Sequence, residues 1–582
     1  MAKESQPPGG PDPAVLRQRF EVTLREHQAG RLAEAEAGYR QILAIAPGHD
    51  ESLHLLGVIA CQVGQPEPAV GLIERAIALR PGIPVYHFNL GLALRHLDRL
   101  DAAVQAFEQA AALQPGHVEA LVNLSAVLQR QGRIDAAIAR LKEVVALRAD
   151  HADAQYSLGA LLQQQNRPAE AADHFARAVA LRPDRPEFRH ALGSARHQSG
   201  DTAAALAEYD AALALRPDFA EPHGNRALIL KDRGDLDGAM AALDQALALK
   251  PDQPEVQLNQ ALIRLSRGEF QEGWRQYEAR WGTRQLDPDR RSFAVPLWDG
   301  SDGTGRTILI WAEQGLGDTL QFCRYAPLLA GRGWRVVIEA PAPLTRLLGS
   351  LAGTIVRPIG GTELPVDCHC PLMSLPRLFE TVEATIPSQM PYLAADPAEI
   401  EHRRLGADGP KIGLAWSGNP GTLTPAHVLV DTRRSIPLAR LAPLLAVPGA
   451  RFVSLQKDPR EDPAAFGLLD PMQSARDFAD TAAIVAQLDL VISVDTSVVH
   501  LAGAMGKKVW LLNRFDTCWR WLQERDDSPW YPTLRQFRQP VPGDWDSAIA
   551  AAALALQKGS FRLSSSISTM SLSVNPLSRS SR

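Results

Sequence analysis

The sequence has little cysteine, no long apolar run and no large excess of charge of either sign. Five of its 582 residues are cysteine, which is too few for the disulfide framework of a secreted domain and suits a reducing compartment. No apolar stretch reaches the roughly 18 residues that a membrane span requires, and the first residues carry no apolar export signal. A net charge of −5 gives no general reason to expect nucleic acid as a partner. These absences predict a cytoplasmic protein of several globular domains.

Metal-binding patterns are also scarce. The tripeptide Cys368-His369-Cys370 resembles a fragment of a zinc site, but no second ligand pair follows at zinc spacing, so buried strand residues are the favoured interpretation. The Asp-x-Asp triplets fall in predicted turns or linkers rather than after a strand; they are Asp235/Asp237, Asp287/Asp289 and Asp544/Asp546. The sequence therefore predicts no metal site.

A turn residue recurs every 34 residues through the first half of the chain, and proline recurs in the same phase. The turn positions are Gly30, Gly64, Asp98, Gly132, Asn166, Gly200, Gly234 and Gly268. A strict 34-residue period is typical of tetratricopeptide repeats, each of which is a pair of helices. We predict an α-solenoid over residues 15–281, preceded by a disordered segment at residues 1–14.

The predicted array has a concave face. Stacked helix pairs form a right-handed superhelix whose concave face usually holds a protein or peptide, although the array can also serve as a stiff spacer. Asn89, Asn123 and Asn225 lie near equivalent positions of three first helices. Their amides either bind the backbone of a peptide partner or are ordinary exposed helix residues.

The repeat pattern is lost after residue 281. Residues 282–305 have the proline and glycine content of a linker, and strands then alternate with helices. We predict two Rossmann-type α/β lobes, at residues 306–400 and 409–556, with a proline-containing hinge near residues 387–410 and a cleft between the lobes. The serine-rich tail at residues 557–582 is predicted to be disordered.

The most informative segment lies in the second lobe. A buried strand at residues 490–494 leads into the polar turn Asp495, Thr496 and Ser497, followed by a helix at residues 498–505 and a second strand at residues 509–512. The first N–H groups of such a helix lack partners and attract phosphate at the carboxyl edge of the sheet. An ordinary α/β crossover without a ligand is an equally open interpretation.

The first lobe carries a glycine-rich loop directly after its first strand. Gly315 and Gly317 let the backbone approach a ligand closely, and Asp318 follows them. Asp318 is either a general base that deprotonates an acceptor hydroxyl or the cap of its own helix, and Glu313 is the next candidate base. The loop is neither a dinucleotide fingerprint nor a phosphate-binding loop of the Gly-Lys-Thr type.

Polar and basic residues follow two further strands of the second lobe. Trp416, Ser417 and Asn419 come after one strand, and Gln456 and Lys457 end the next. Ser417 and Asn419 can donate hydrogen bonds to phosphate oxygens. Arg434 or Lys457 can neutralise a leaving diphosphate, although each cation taken alone reads as a surface charge.

Several segments together resemble a known family. GLGDTLQF, IGLAWSGNP, RRSIPL, FVSLQK and DTSVVHLAGAMGKKVWLL are similar to bacterial tetratricopeptide proteins with a C-terminal glycosyltransferase domain. That domain resembles the heptosyltransferases of glycosyltransferase family 9, which have a GT-B architecture, and the resemblance covers about residues 15–556. It implies transfer of a sugar from a nucleotide-sugar donor without a metal or other cofactor.

The resemblance also implies roles for individual residues. Asp318 matches the catalytic aspartate, and Arg434 matches a basic residue near the diphosphate. The donor-binding turn and helix are matched by Asp495, Thr496, Ser497 and His500.

Two departures from the family are visible. Residues 420–431 are longer and more apolar than the usual link, and the first lobe is short for a heptosyltransferase. The expected function is transfer of a sugar to a protein or glycan hydroxyl, with the array recruiting the acceptor or a partner protein. The alternative is a non-catalytic tetratricopeptide scaffold whose transferase domain is degenerate.

Overall fold

The structure is a computed structural model that describes residues 13–283, 291–361, 364–406, 409–418 and 431–559. The chain divides into two compact units, one ending at Arg226 and the other beginning at Ala227. Each unit is described by itself.

The first unit consists of antiparallel helix pairs. Its helices are α1 (Pro13–Gln28), α2 (Leu32–Ile45), α3 (Asp50–Gln62), α4 (Pro66–Leu79), α5 (Pro84–His96), α6 (Leu100–Leu113), α7 (Val118–Arg130), α8 (Ile134–Leu147), α9 (Ala152–Gln164), α10 (Pro168–Leu181), α11 (Pro186–Gln198), α12 (Thr202–Leu215) and α13 (Ala220–Asp232), which ends in the second unit. The turn positions have left-handed backbone, even where aspartate or asparagine replaces glycine: φ is 58° at Asp98 and 56° at Asn166. The predicted helical repeat array is confirmed.

Small residues let the two helices of a repeat approach closely. A Cβ atom on Gly91 of α5 would lie 2.6 Å from the Phe107 ring of α6, so the ring fills the space that glycine leaves. Phe107 and Ala103 are fully buried. Gly91 and Ala103 are thus the small residues that make room for the Phe107 ring between α5 and α6.

The asparagines of the array are engaged in hydrogen bonds. Asn89 bonds to His54 at 2.7 Å and Asn225 to His190 at 2.9 Å, each 35 residues earlier in the chain. Asn123 donates to the Glu119 carbonyl. Asn89 and Asn225 therefore link the first helices of successive repeats, and the Asn123 oxygen does the same by accepting from Arg95 of the preceding first helix.

The second unit begins with the last helices of the repeat pattern. These are α14 (Leu236–Leu249), α15 (Pro254–Ser266) and α16 (Phe270–Tyr277), followed by a 3-10 turn at Glu278–Gly282. Phe270 and Trp274 lie in the same core as Phe322 and Trp519, with 5.1 Å between the rings of Trp274 and Trp519. The last repeat helices thus share a core with the α/β part.

Two parallel sheets follow in the described residues, which confirms the α/β prediction. The first has the order β3-β2-β1-β4 and the second the order β6-β5-β7-β8-β9. The strands are β1 (Thr307–Trp311), β2 (Arg335–Ala340), β3 (Thr354–Pro358), β4 (Cys368–Pro371), β5 (Lys411–Ala415), β6 (Arg451–Ser454), β7 (Leu490–Val494), β8 (Val509–Asn513) and β9 (Leu534–Arg538). The helices of the first lobe are α17 (Leu316–Phe322), α18 (Ala326–Gly331), α19 (Ala342–Leu348), α20 (Leu375–Leu378) and α21 (Pro397–His402), and those of the second are α22 (Ala442–Leu445), α23 (Phe478–Ala486), α24 (Ser497–Ala504) and α25 (Trp545–Gln557).

Some local predictions differ from the structure. The single helix expected after the Asp318 loop is broken by a 3-10 turn at Cys323–Tyr325. Trp298, in the predicted linker, is 2% exposed and packs in the core of the first lobe. The domain limits themselves stay predictions, and residues 1–12, 284–290 and 560–582 lie outside the described residues. Of the helices that the structure describes, none has the length and apolarity that a membrane crossing requires.

Candidate functional site

The candidate site lies where the first turn of α17, which carries Gly317 and Asp318, meets the start of α24. A Cβ atom on Gly317 would lie 2.8 Å from Cδ2 of His500 and 3.6 Å from the Cα atom of Ser497. Glycine is therefore required for this approach. The structure brings together four residues that the sequence predicted separately: Gly317, Asp318, Ser497 and His500.

Asp318 is held by two groups. One carboxylate oxygen accepts a hydrogen bond of 2.9 Å from the backbone N–H of Gly315, and the other accepts from the guanidinium of Arg520. The first contact makes Asp318 the cap of its own helix, which is one of the two interpretations that the sequence allowed. The second is an ion pair between the lobes, with 17% of the Asp318 side chain exposed.

Arg520 was missed by the sequence reasoning. It lies on a 3-10 turn at Trp519–Trp521, donates to the side chain of Gln321 at 2.8 Å and stacks over the Trp519 ring at 4.3 Å. Burial acts to lower the pKa of Arg520, but Asp318 together with Cys518 and Tyr277 outweighs burial and raises that pKa above its ordinary value. The available signal was an arginine between two tryptophans, shortly after a buried strand.

His500 is buried beneath the turn rather than exposed on it. Its Nδ1 lies 2.9 Å from the Tyr531 hydroxyl, and its ring stacks on Trp521 at 5.4 Å. Burial, together with Arg520 and Arg324, holds the pKa of His500 well below its ordinary value. The imidazole is therefore neutral near pH 7 and cannot neutralise a phosphate.

The turn at Asp495, Thr496 and Ser497 is half-buried and fixed on both sides. Thr496 caps α24, since its hydroxyl accepts a hydrogen bond of 3.3 Å from the N–H of Val498. Arg434 donates to the carbonyl oxygen of Asp495 at 3.0 Å. The guanidinium of Arg434 is thus close to the first turn of α24.

Arg434 also anchors the loop after β5. Its guanidinium lies 2.9 Å from the Asp431 carboxylate, and a Cβ atom on Gly418 would lie 1.8 Å from that carboxylate and 2.5 Å from Arg434. Arg434 therefore links the loops that follow β5 and β7. Asn419, predicted to bind the donor, lies outside the described residues.

Gln456 shapes the same loop from the neighbouring strand. Its side-chain oxygen accepts from the backbone N–H groups of Trp416 at 3.2 Å and Ser417 at 3.0 Å. The Trp416 ring is 2% exposed and packs in the core of the second lobe, whereas Ser417 is half-buried. Lys457 is exposed, and its ammonium donates to the Ala475 carbonyl at 3.0 Å. Of the two candidate cations, Arg434 therefore contacts the turn after β7 through the Asp495 carbonyl, whereas Lys457 contacts the Ala475 carbonyl.

Glu313, the second candidate base, is locked in a buried ion pair. Its carboxylate lies 2.9 Å and 3.0 Å from nitrogens of Arg280 and accepts from the N–H of Met373 at 3.0 Å. Neither side chain of the pair is exposed. Glu313 cannot reach an acceptor hydroxyl in this arrangement.

The Cys368-His369-Cys370 tripeptide lies on β4. Cys370 is fully buried, and the His369 ring stacks on Phe293 at 4.1 Å and bonds to the Trp311 indole N–H. Within the described ranges no group of three or more histidine, cysteine, aspartate or glutamate side chains is arranged to hold a metal ion.

Comparisons with known proteins concern mainly the repeats. Family models described as tetratricopeptide repeat match residues 83–150, 117–184, 161–220 and 196–264, so the chain carries tetratricopeptide repeats, a class that mediates protein interactions. Protein FlbA of Caulobacter vibrioides is 30% identical over an alignment of 321 positions, and the match covers 49% of this chain and 52% of FlbA. The chain thus spans about half the length of this curated relative.

Solved structures similar to this chain are repeat proteins. YrrB, described as a TPR protein with an unusual peptide-binding site, is 21% identical with a TM-score of 0.30, over 32% of this chain and 95% of YrrB. MamA from Desulfovibrio magneticus is 22% identical with a TM-score of 0.28, over 29% of this chain and 96% of the MamA chain. PilF of Pseudomonas aeruginosa is 22% identical with a TM-score of 0.32, over 36% of this chain and 96% of the PilF chain.

Proposed function

We propose that this chain is a metal-independent glycosyltransferase that moves a sugar from a nucleotide-sugar donor to a hydroxyl group of a protein or glycan. In this proposal the two parallel sheets are the lobes of a GT-B fold, and the tetratricopeptide array recruits the acceptor or a partner protein. The observation that carries it is the approach of Gly317, which directly precedes Asp318, to Ser497 at the start of α24. A carboxylate and a helix N-terminus then face each other across one cleft.

The donor diphosphate binds at the turn after β7. The first N–H groups of α24 and the hydroxyls of Thr496 and Ser497 donate to its oxygens, because a helix start favours negative charge. Arg434, which pairs with Asp431 and donates to the Asp495 carbonyl, places its guanidinium beside them. Ser417 extends the set of donors from the loop that Gln456 fixes.

Asp318 acts as the general base. It takes the proton of the acceptor hydroxyl while the acceptor oxygen bonds to the anomeric carbon of the sugar. The bond from that carbon to the phosphate oxygen breaks, and the nucleotide diphosphate leaves with the electron pair. The turn and Arg434 stabilise this developing charge.

Arg520 positions the base. A carboxylate oxygen has two lone-pair sites, so the acceptor hydroxyl can donate to Asp318 while Arg520 keeps its own hydrogen bond. The guanidinium, fixed by Gln321 and the Trp519 ring, holds the carboxylate in one orientation. Arg520 therefore acts through Asp318 rather than on the substrate.

A panel of nucleotide sugars in a thermal-denaturation assay tests the donor site. A true donor at 100 times its Kd stabilises the protein by about 2.7 kcal/mol. Ser497→Asp abolishes this shift by repelling the diphosphate, while Ser350→Asp, an exposed serine of the first lobe, keeps it. If no nucleotide sugar stabilises the wild-type protein, or if Ser497→Asp keeps the full shift, the proposed donor site is wrong.

The scaffold remains the second candidate, because one specific observation favours it. Both oxygens of Asp318 already accept hydrogen bonds from protein groups, as in a residue kept for structure. Mass spectrometry of the donor and of candidate acceptors separates the two. A nucleotide sugar that binds but is neither hydrolysed nor transferred favours the scaffold.

A further inference from the structure

A pocket of about 620 Å³ lies between the loop after β8 and the ends of helices α13, α14 and α15, all within the second unit. Its lining includes Arg514, Phe515, Trp519, Arg538, Gln539 and Leu262. Trp519 also stacks on Arg520 of the proposed transferase site, and the other residues of this set have no role in the sugar transfer proposed above.

The pocket is lined by buried hydrogen-bond donors that lack acceptors. Within the part of the chain that the structure describes, Nε and Nη1 of Arg514, Nε of Arg538 and Nε2 of Gln539 have no hydrogen-bond partner. Gln539 is 3% exposed, and its oxygen accepts from the backbone N–H groups of Phe515 and Gly543, which leaves its NH₂ group for a ligand. Buried donors without acceptors are costly, and several around one pocket indicate a missing acceptor.

The acidic residues of the pocket do not supply that acceptor. Asp232 and Asp516 each lie 2.8 Å from Arg433, so their charge is used by that arginine. Arg514 lies 3.6 Å from Asp516, beyond hydrogen-bond distance. Arg538 bonds only to neutral oxygens in the described residues, and burial lowers its pKa. The cations Lys231, Arg433, Arg514 and Arg538 face the carboxylates Asp232, Asp516 and Glu524 around the pocket, which leaves one net positive charge.

The pocket continues into a groove. A cavity of about 290 Å³ shares Asp232, Arg433 and Gln539 with it on one side, and a cavity of about 570 Å³ shares Gly234 and Glu524 on the other. The central pocket sets the rings of Phe515 and Trp519 beside the arginines. An elongated groove with apolar and cationic positions fits an extended chain better than a compact small molecule.

We propose that this groove binds an extended acidic segment of a protein partner. A carboxylate of the segment accepts from Arg514, Arg538 and Gln539, and an apolar neighbour packs on Phe515 and Trp519. Guanidinium groups suit carboxylates because their fork of N–H donors matches two oxygens. The inference does not depend on sugar transfer and holds equally for a scaffold.

Fluorescence anisotropy with the full chain tests the groove. The probes are a fluorescein-labelled octapeptide of alternating glutamate and leucine and its counterpart with glutamine at every glutamate. We expect the acidic peptide to bind at least tenfold more tightly. Arg514→Gln and Arg538→Gln each weaken it at least fivefold, while Arg535→Gln, an exposed arginine on β9 that loses the same charge, stays within twofold.

Circular dichroism and melting temperature establish that each variant folds. Arg514→Lys provides a second variant, which keeps the charge but loses the guanidinium fork, and we expect an intermediate loss of affinity. Equal binding of the two peptides, no binding of the acidic peptide, or wild-type affinity in both Arg→Gln variants would overturn the proposal. So would stabilisation by inorganic phosphate that depends on Arg514 when neither peptide binds, because the pocket would then hold a small anion.

Discussion

Gly317→Ala tests the contact on which the candidate site depends. The added Cβ atom would lie 2.8 Å from Cδ2 and 3.4 Å from Nε2 of His500. Carbon atoms in contact prefer a separation of about 3.5–4.0 Å, so the Cβ atom and Cδ2 must move apart by about 0.7–1.2 Å. The His500 ring cannot easily yield, because Tyr531 bonds to it and Trp521 stacks on it. The loop that carries Asp318 must therefore move away from α24.

Two effects of known size follow from this displacement. Overpacking a fixed contact costs about 1–3 kcal/mol of unfolding free energy. A displacement of about 1 Å between reacting groups costs about 10²-fold in turnover. Gly315→Ala is the matched control, since its Cβ atom would meet only an oxygen of Asp318, at 3.2 Å, and its φ of −84° suits alanine.

Urea denaturation measures the first effect without knowledge of the substrate. We expect Gly317→Ala to lower the unfolding free energy by 1–3 kcal/mol, as in overpacked cores, and Gly315→Ala to change it little. Adding Gly317→Ala to His500→Ala should cost less than adding it to the wild type, because the clash is gone. Additive costs in this cycle, or wild-type stability of Gly317→Ala, would refute the reasoning.

Three further predictions address other groups. Asp318→Asn keeps the helix cap but removes the base, so turnover should fall by about 10²–10⁴-fold with nearly unchanged donor affinity by calorimetry; full turnover under chemistry-limited conditions would make Asp318 only a cap. Glu313→Gln leaves Arg280 with the Glu278 carboxylate but removes its second, fully buried ion-pair partner, and should cost about 1–3 kcal/mol in urea denaturation; an unchanged unfolding free energy would argue against the pair. Burial lowers the pKa of His54 to about 4, so the folded protein keeps this imidazole neutral. The unfolded chain binds a proton there below its ordinary pKa of about 6.5. The contribution of His54 to the unfolding free energy is therefore complete above pH 6.5 and is lost as pH falls from about 6.5 to 4. This contribution is at most about 3 kcal/mol. The unfolding free energy of His54→Gln should therefore fall less steeply between pH 7 and 4.5 than that of the wild type.

Local periodicity explains why the sequence predicted the fold well. The contacts of a repeat lie within one or two repeat lengths, so a 34-residue pattern contains most of the packing information, as the Gly91–Phe107 contact illustrates. Buried parallel strands are short apolar runs, and β7 was predicted with the bounds Leu490–Val494. The α/β class and the carboxyl-edge turn followed from these runs.

The site was predicted less completely, because its contacts join distant parts of the chain. Arg520 contacts Asp318 across 202 residues, and no local pattern links the two. Glu313 had the position of a candidate base, but its carboxylate forms an ion pair with an arginine 33 residues earlier in the chain. Lys457 ends a strand as expected, yet a backbone carbonyl engages its ammonium. The sequence predicts which residue types lie at the end of a strand. The hydrogen bonds and ion pairs of each side chain, which the sequence does not show, decide whether that side chain is available to a ligand.

The contacts of Arg280 and Tyr277 determine where the α/β half can be separated from the rest of the chain. Arg280 pairs with Glu313, and the Tyr277 hydroxyl accepts from the side chain of Gln314, whose backbone φ is 61°. Both partners lie just ahead of the Asp318 loop. A fragment begun at residue 282, where the repeat pattern stops, would keep every residue of the predicted lobes and lose both contacts. The α/β half is therefore expected to keep these contacts only when it is produced together with its last repeat helices.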